Sequence, residues 1–185
     1  MKFSRLLTSA IASALVLLPS LTVADSQLSI GGAGTTAQAN LDFRIVIPSF
    51  VYFQIGSAGS VDRVDYDLNV GPVQPGSGGP ISATGGAGDG ADGALSITLA
   101  TNAASVSIGA SGGNLNGSGA NTIPFGDITA ADTGTIPVPD FGTTVTPFAP
   151  GGFSLSDTWT YTYDNSTVYQ ADTYNGTATY TITVL

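Results

Sequence analysis

The chain has no cysteine, no histidine, no glutamate and a single lysine. Each absence removes a chemistry. Without cysteine there are no disulfides, so the fold rests on burial and hydrogen bonds alone. Without histidine or cysteine, the Ser–His–Asp triad, the Cys–His dyad and the ordinary zinc sites fall away together. The first two need a group that titrates near neutral pH, and none is present. All 13 acidic side chains are aspartate, and beyond residue 24 the only basic side chains are Arg44 and Arg63, for a side-chain charge of −11. Such a surface repels phosphate backbones and anionic lipid, which disfavours nucleic-acid and membrane-surface partners.

Long apolar runs are also scarce. The main one, Leu6 to Leu21, follows Lys2 and Arg5 and precedes the small residues of Thr22-Val23-Ala24. This is the three-part pattern of a secretory signal peptide, residues 1–24, cut after Ala24. The run is short for a span of ~20 residues, and Ser, Thr and Pro dilute it. The protein is therefore expected to be secreted, extracellular or held at the cell surface after periplasmic transit, with no membrane insertion once the signal is removed. The 161 residues that follow suit one domain.

What is there has a period of two. In "VDYDLNV", Val64, Tyr66, Leu68 and Val70 alternate with Asp65, Asp67 and Asn69. "LSITLA", "SVSIGA", "DTWTYTYD" and "GTATYTITVL" repeat the scheme, with threonine or serine on the second face. Each reads as a strand with one face buried and one wet. Threonine suits the wet face because its β-branch fits a pleated strand. Strands are expected at 41–47, 50–55, 61–70, 95–101, 104–110, 121–130, 155–163 and 177–185, with a further edge strand at 141–148. Helical periodicity is nearly absent. The pattern predicts an all-β chain, an antiparallel immunoglobulin-like β-sandwich over 41–185 behind a flexible extension at 25–40. A jelly roll or barrel is the alternative. The Gly- and Pro-rich stretch 71–93 is expected to be a long irregular loop, and 109–121 a wide turn. Tyr174-Asn175-Gly176-Thr177 reads as a two-residue hairpin turn or a bend in a continuing strand.

No motif for catalysis stands out. Asp89 and Asp92 in "GGAGDGADG" resemble a calcium-binding glycine-rich repeat, but two aspartates are too few ligands for a six- to eight-coordinate ion. The plainer reading is a soluble loop. Asp62, Asp65 and Asp67 lie on alternating polar faces or turns, so solvation explains them without a catalytic carboxylate pair. The threonine rows do not repeat evenly enough over neighbouring strands for an ice-binding face. Trp159, Tyr161 and Tyr163 share one face, which suggests a core before it suggests sugar stacking. The sequence implies no catalytic residue, no metal and no cofactor.

One stretch is unusual. In "DFRIVIPSFVYFQIG" (42–56), with Leu41 ahead of it, the odd positions Leu41, Phe43, Ile45, Ile47, Val51, Phe53 and Ile55 are all apolar, broken only by Ser49. The even positions begin polar, with Asp42 and Arg44, and turn apolar at Phe50 and Tyr52. Pro48 cannot donate to a ladder. The pattern predicts two segments split at Pro48–Ser49. The second is covered on both faces or presents Phe50 and Tyr52 as a partner interface.

A cysteine-free, Gly/Thr-rich β chain behind a signal peptide, ending on the alternating strand "TATYTITVL", resembles bacterial fimbrial or pilus subunits, including the spore-coat-U-like group. The resemblance implies an N-terminal extension that completes a neighbour's sandwich by strand addition; "DSQLSIGGAGTTAQAN" (25–40) stands in that place, with Leu28 and Ile30 alternating. The chain departs from the chaperone–usher pattern in lacking a disulfide, in having Val184 rather than tyrosine before its last residue, and in having few large apolar residues in the extension. The expected function is a non-enzymatic structural or adhesive surface protein that self-associates or meets a surface partner. The alternative is an extracellular module that binds polysaccharide or another ligand, with calcium as an aid. An Asp-based hydrolase is the third reading.

Overall fold

The computed structural model describes residues 27–68, 74–143, 145 and 147–185. The expected signal peptide lies outside the described residues, as do residues 25 and 26 of the extension. So do the start of the 71–93 loop and residues 69 and 70 of the strand expected at 61–70, of which only Arg63–Asp65 forms a strand among the described residues. The chain divides into two units, Met1–Val46 and Ile47–Leu185.

The described part of the first unit, 27–46, contains no strand, and every residue in it is exposed. A turn is closed where the Thr35 N–H and hydroxyl both donate to the Gly32 carbonyl, at 3.3 and 2.7 Å. The strand expected at 41–47 is not formed. Alternating apolar residues stabilise a strand only when a sheet covers one face and pairs its backbone; residues 41–47 enter no ladder and stay exposed.

The second unit is all-β. Its strands are β1 (Val51–Ile55), β2 (Arg63–Asp65), β3 (Pro80–Ser82), β4 (Gly85–Ala87), β5 (Ala94–Thr101), β6 (Val106–Ser111), β7 (Asn114–Asn116), β8 (Thr122–Pro124), β9 (Ile128–Ala131), β10 (Ser154–Asp164) and β11 (Thr179–Val184). Among the described residues there is no α-helix, only 3₁₀ turns at Gly88–Asp92 and Phe125–Asp127. The strand pairs are antiparallel, and no sheet among the described residues closes into a barrel.

The largest sheet is built on β5 and β10. β5 pairs with β1 on one side (Phe53 opposite Leu99) and with β10 on the other (Leu155 opposite Leu99). β10 is long enough to take three neighbours. β5 and then β3 follow one another along one edge, and β9 takes the other (Thr162 opposite both Ser82 and Thr129). A second sheet is centred on β6. β11 pairs along it with Ile182 opposite Ile108. Its other edge is met by the 141–148 segment, through Val145 N–H to Ile108 carbonyl at 3.0 Å and a reciprocal pair between Val106 and Phe148 at 3.0 and 3.1 Å. The edge strand expected at 141–148 is thus an irregular ladder, with residues 144 and 146 outside the described set.

The inward positions of both sheets share one core. Leu95, Ile97 and Leu99 from β5, Val106 and Ile108 from β6, and Trp159 and Tyr161 from β10 are buried together with Ile136. The period of two places them there: each follows the last by two residues along its strand. Trp159 is fully buried, and its indole N–H donates to the Ile136 carbonyl at 2.8 Å. Tyr161 donates to the Tyr180 hydroxyl at 2.9 Å, a hydrogen bond from β10 to β11.

The loops differ most from expectation. The 71–93 stretch carries β3, β4 and the Gly88–Asp92 turn rather than a featureless loop. Glycine is structural there. A Cβ at Gly86 or Gly90 lies 2.1 or 2.2 Å from the Arg63 carbonyl oxygen, so only glycine lets β2 approach. Within 109–121 the chain forms β7, which pairs with β8 as a short hairpin. The segment expected as one strand at 121–130 is β8 and β9 split by the turn Phe125–Asp127. Asn175 forms a bridge with Asn116, N–H to carbonyl in both directions at 2.7 and 2.9 Å, so 174–177 is an approach to β11 rather than a hairpin turn.

Candidate functional site

Two of the edge strands, β1 of the first sheet and β11 of the second, each pair on one side only among the described residues. Near them lies an apolar cleft of about 700 Å³. Phe53 and Ile55 line it from β1, Tyr180 from β11, and Phe125, Phe141 and Tyr161 from the interior. Rings connect across it. Phe125 meets Phe141 at 4.8 Å between centroids, Phe141 meets Tyr180 at 6.1 Å, Tyr180 meets Trp159 at 5.3 Å and Trp159 meets Phe53 at 6.1 Å. These tilted contacts lie in the range where aromatic pairs attract. Phe53, Ile55, Tyr180, Ile182 and Val184 remain only partly buried against the core. The β2 segment supplies a further wall through Val61, Val64 and Tyr66, so the cleft is a partly covered flank of the core.

Beyond β1 the chain is held by Asn102. The Phe50 N–H donates to Asn102 Oδ1 at 2.9 Å, and Asn102 Nδ2 donates to the Pro48 carbonyl at 2.8 Å. The Thr101 hydroxyl donates to the Phe50 carbonyl at 2.7 Å. An amide side chain thus does what the proline and the strand end cannot. The interface residues read from sequence lie on one stretch here. Phe50 and Tyr52 are 40 % and 51 % exposed. The Phe50 ring tilts against exposed Phe153 at 5.4 Å, and the Tyr52 hydroxyl donates to Gln54 Oε1.

Trp159, Tyr161 and Tyr163 are buried, which makes them core rather than a sugar platform. Asp89 and Asp92 sit at the Gly88–Asp92 turn. Asp92 accepts from the Ala94 N–H at 3.1 Å, and among the described residues no three acidic groups converge as cation ligands. Asp65 is paired with Arg63 through both carboxylate oxygens, at 2.7 and 2.9 Å.

A second, more polar cleft of about 740 Å³ lies between the β2 segment and the 165–175 loop. Tyr66, Tyr163, Tyr169 and Tyr174 line it beside Asp65 and Asp172. Tyr169 donates to Asp127 Oδ2 at 2.6 Å; this bond, with burial, pushes the phenol up to about 12. Asp172 accepts from the Ser118 hydroxyl (2.7 Å) and N–H (2.6 Å) and from Asn121 Nδ2 (3.1 Å). Those donors hold its carboxyl well below the usual carboxylate range. The Tyr66 hydroxyl is buried without a hydrogen-bond partner among the described residues, and burial, then repulsion from Tyr180, drives its pKa upward. Sequence reasoning placed Tyr66 on a strand and Tyr174 only in a turn or bend, and passed over Tyr169, because "STVYQADTYNG" has no strand period. The two tyrosines five residues apart in a polar loop were the available signal. No protein-family model, no curated protein and no solved structure matches this chain.

Proposed function

We propose that the protein is a secreted, non-enzymatic structural subunit of the cell surface that assembles by strand addition, in the manner of fimbrial or pilus subunits. In this reading the two sheets are an immunoglobulin-like sandwich whose β1 edge is left open to a further strand. The observation that carries it is the apolar cleft beside two strand edges that are open among the described residues. The complementary feature is the segment 41–47. Leu41, Phe43, Ile45 and Ile47 recur at every second residue, and each is more than three-quarters exposed. Extended, they share one face, and seven residues span ~23 Å. Laid along the open edge of β1 in a neighbouring copy, the segment pairs that edge and turns its apolar row toward the cleft.

The magnitudes favour a cooperative contact. Burying four large apolar side chains contributes about 6–12 kcal/mol at ~1.5–3 kcal/mol each. Association costs ~4–15 kcal/mol before anything is gained. The full row and the backbone pairing are therefore needed together. The N-terminal signal pattern supports export, and the missing histidine and cysteine support a non-catalytic role.

The test is sedimentation of residues 25–185 over a wide concentration range, beside Phe43→Asp/Ile45→Asp. The unaltered chain is expected to form concentration-dependent oligomers, and the double variant to remain a folded monomer. A monomer at every concentration for the unaltered chain overturns the proposal.

A further inference from the structure

We infer that the cleft between the β2 segment and the 165–175 loop is a binding site for a short neutral saccharide. The inference does not rest on strand-addition assembly: the cleft adjoins the apolar one and shares Tyr66 and Val64 with it, but Tyr169 and Tyr174 line this cleft alone.

The first argument is the lining. A sugar ring has apolar C–H faces and a rim of hydroxyls. A site for it needs flat apolar surfaces and convergent donors and acceptors. The cleft supplies the rings of Tyr66, Tyr169 and Tyr174 beside the polar groups of Asp65, Gln170 and Asn175. Its volume of about 740 Å³ falls within the ~300–1,000 Å³ typical of small-molecule sites. Tyr169 and Tyr174 are neither buried nor fully exposed, unlike Trp159 and Tyr161, which the core consumes.

The second argument is preorganisation. The loop carrying both tyrosines is tied down at each end. Asn165, fully buried, donates to the Gln74 carbonyl at 2.7 Å and accepts from the Gly76 N–H at 3.0 Å. Asp172 is clamped by Ser118 and Asn121, and Asn175 is bridged to Asn116. Each ring is held by its own hydroxyl: Tyr169 by Asp127, and Tyr174 by the Gln170 carbonyl at 2.7 Å. A loop with no regular structure that is this thoroughly fixed presents a ready surface, and binding to it carries little ordering cost.

The third argument selects the ligand's charge. Asp65, Asp67 and Asp172 line the cleft against one cation, Arg63, which already forms an ion pair with Asp65. This field repels uronates, sulfated glycans and phosphates, while carboxylates and amides accept hydrogen bonds from neutral sugar hydroxyls.

The test is titration of isotope-labelled residues 25–185 with cellohexaose, maltohexaose, laminarihexaose, mannohexaose and chitohexaose. Heparin and spermine serve as anionic and cationic controls. At least one neutral hexaose is expected to shift resonances of Tyr66, Tyr169 and Tyr174. Tyr169→Ala and Tyr174→Ala should each weaken that binding about tenfold, and Tyr174→Phe should leave it within about threefold. If an alanine variant fails to fold, the residue-specific shifts in the unaltered protein decide. No response to any hexaose, shifts confined to other residues, or binding of only heparin or spermine overturns the inference.

Discussion

At the scale of single residues, the side chain that most needs explaining is Asp157. It occupies an inward position of β10, two residues before Trp159, and is 8 % exposed. Burial raises its pKa, but donors around it outweigh that. The Ile136 N–H at 2.5 Å, the Thr133 hydroxyl, the Thr158 N–H at 2.6 Å and the Thr133 N–H at 3.0 Å bring it down from 3.8 to about 2. The Thr135 N–H at 2.8 Å adds a further bond. One carboxylate therefore organises residues 133–136, whose Ile136 carbonyl in turn receives the Trp159 indole. A carboxylate accepts through both oxygens, whereas an amide presents one acceptor and one donor. Asp157→Asn is thus expected to turn an NH₂ toward N–H groups and to cost about 2–3 kcal/mol in urea unfolding. The pH dependence has a fixed sign. The native pKa is lowered, so the stabilisation is complete above about pH 4 and is lost as pH falls toward 2. Acid unfolding of the unaltered protein should steepen in that window, and the variant should lack that component.

At the scale of elements, the informative case is the 85–93 segment. β4 pairs with β2, and the Gly88–Asp92 turn returns the chain to β5. Gly90 is buried at the turn, and a Cβ there meets the Arg63 carbonyl oxygen and carbon at 2.2 and 2.7 Å. Backbone on both sides leaves nothing flexible to yield. Gly90→Ala is expected to destabilise by about 2 kcal/mol, seen as a lower urea midpoint and faster amide exchange in β2 and β4. Gly79→Ala, where nothing lies within 4 Å, is the control for space but not for conformation, because its φ is +87°; Gly113→Ala, in open space with no positive φ, is the cleaner one. This segment also marks where the sequence stopped being legible. β5, β6, β10 and β11 were readable to within two residues because Leu95, Ile97, Leu99, Val106, Ile108 and Trp159 alternate with polar residues and fill the core. β3, β4 and β7 were not, because three residues hold no period and glycine contact with a carbonyl leaves no apolar trace. The 41–47 segment fails in the opposite way. Its alternation is as clear as that of β5, yet alternation specifies a face and not a partner.

At the scale of the whole molecule, charge and apolar surface oppose one another. Thirteen aspartates against Arg44 and Arg63 leave each copy beyond residue 24 strongly negative. In the proposed strand-addition assembly, copies approach against that repulsion, while the contact proposed to hold them is apolar and short-ranged. The one local relief is Arg44, which falls on the face opposite Phe43 and Ile45 once 41–47 is extended. Screening length falls from about 10 Å at 0.1 M salt to about 3 Å at 1 M. Added salt therefore weakens the repulsion between copies and leaves the burial of Leu41, Phe43, Ile45 and Ile47 intact. Assembly of residues 25–185 is expected to strengthen by about tenfold or more between 0.05 and 0.5 M sodium chloride, read as a lower concentration at the oligomer midpoint in sedimentation. Arg44→Asp should raise that midpoint at low salt and converge on the unaltered chain at high salt, because it changes the approach and not the contact. An assembly that weakened with salt would mean that ion pairs, and not the apolar row, hold the copies together.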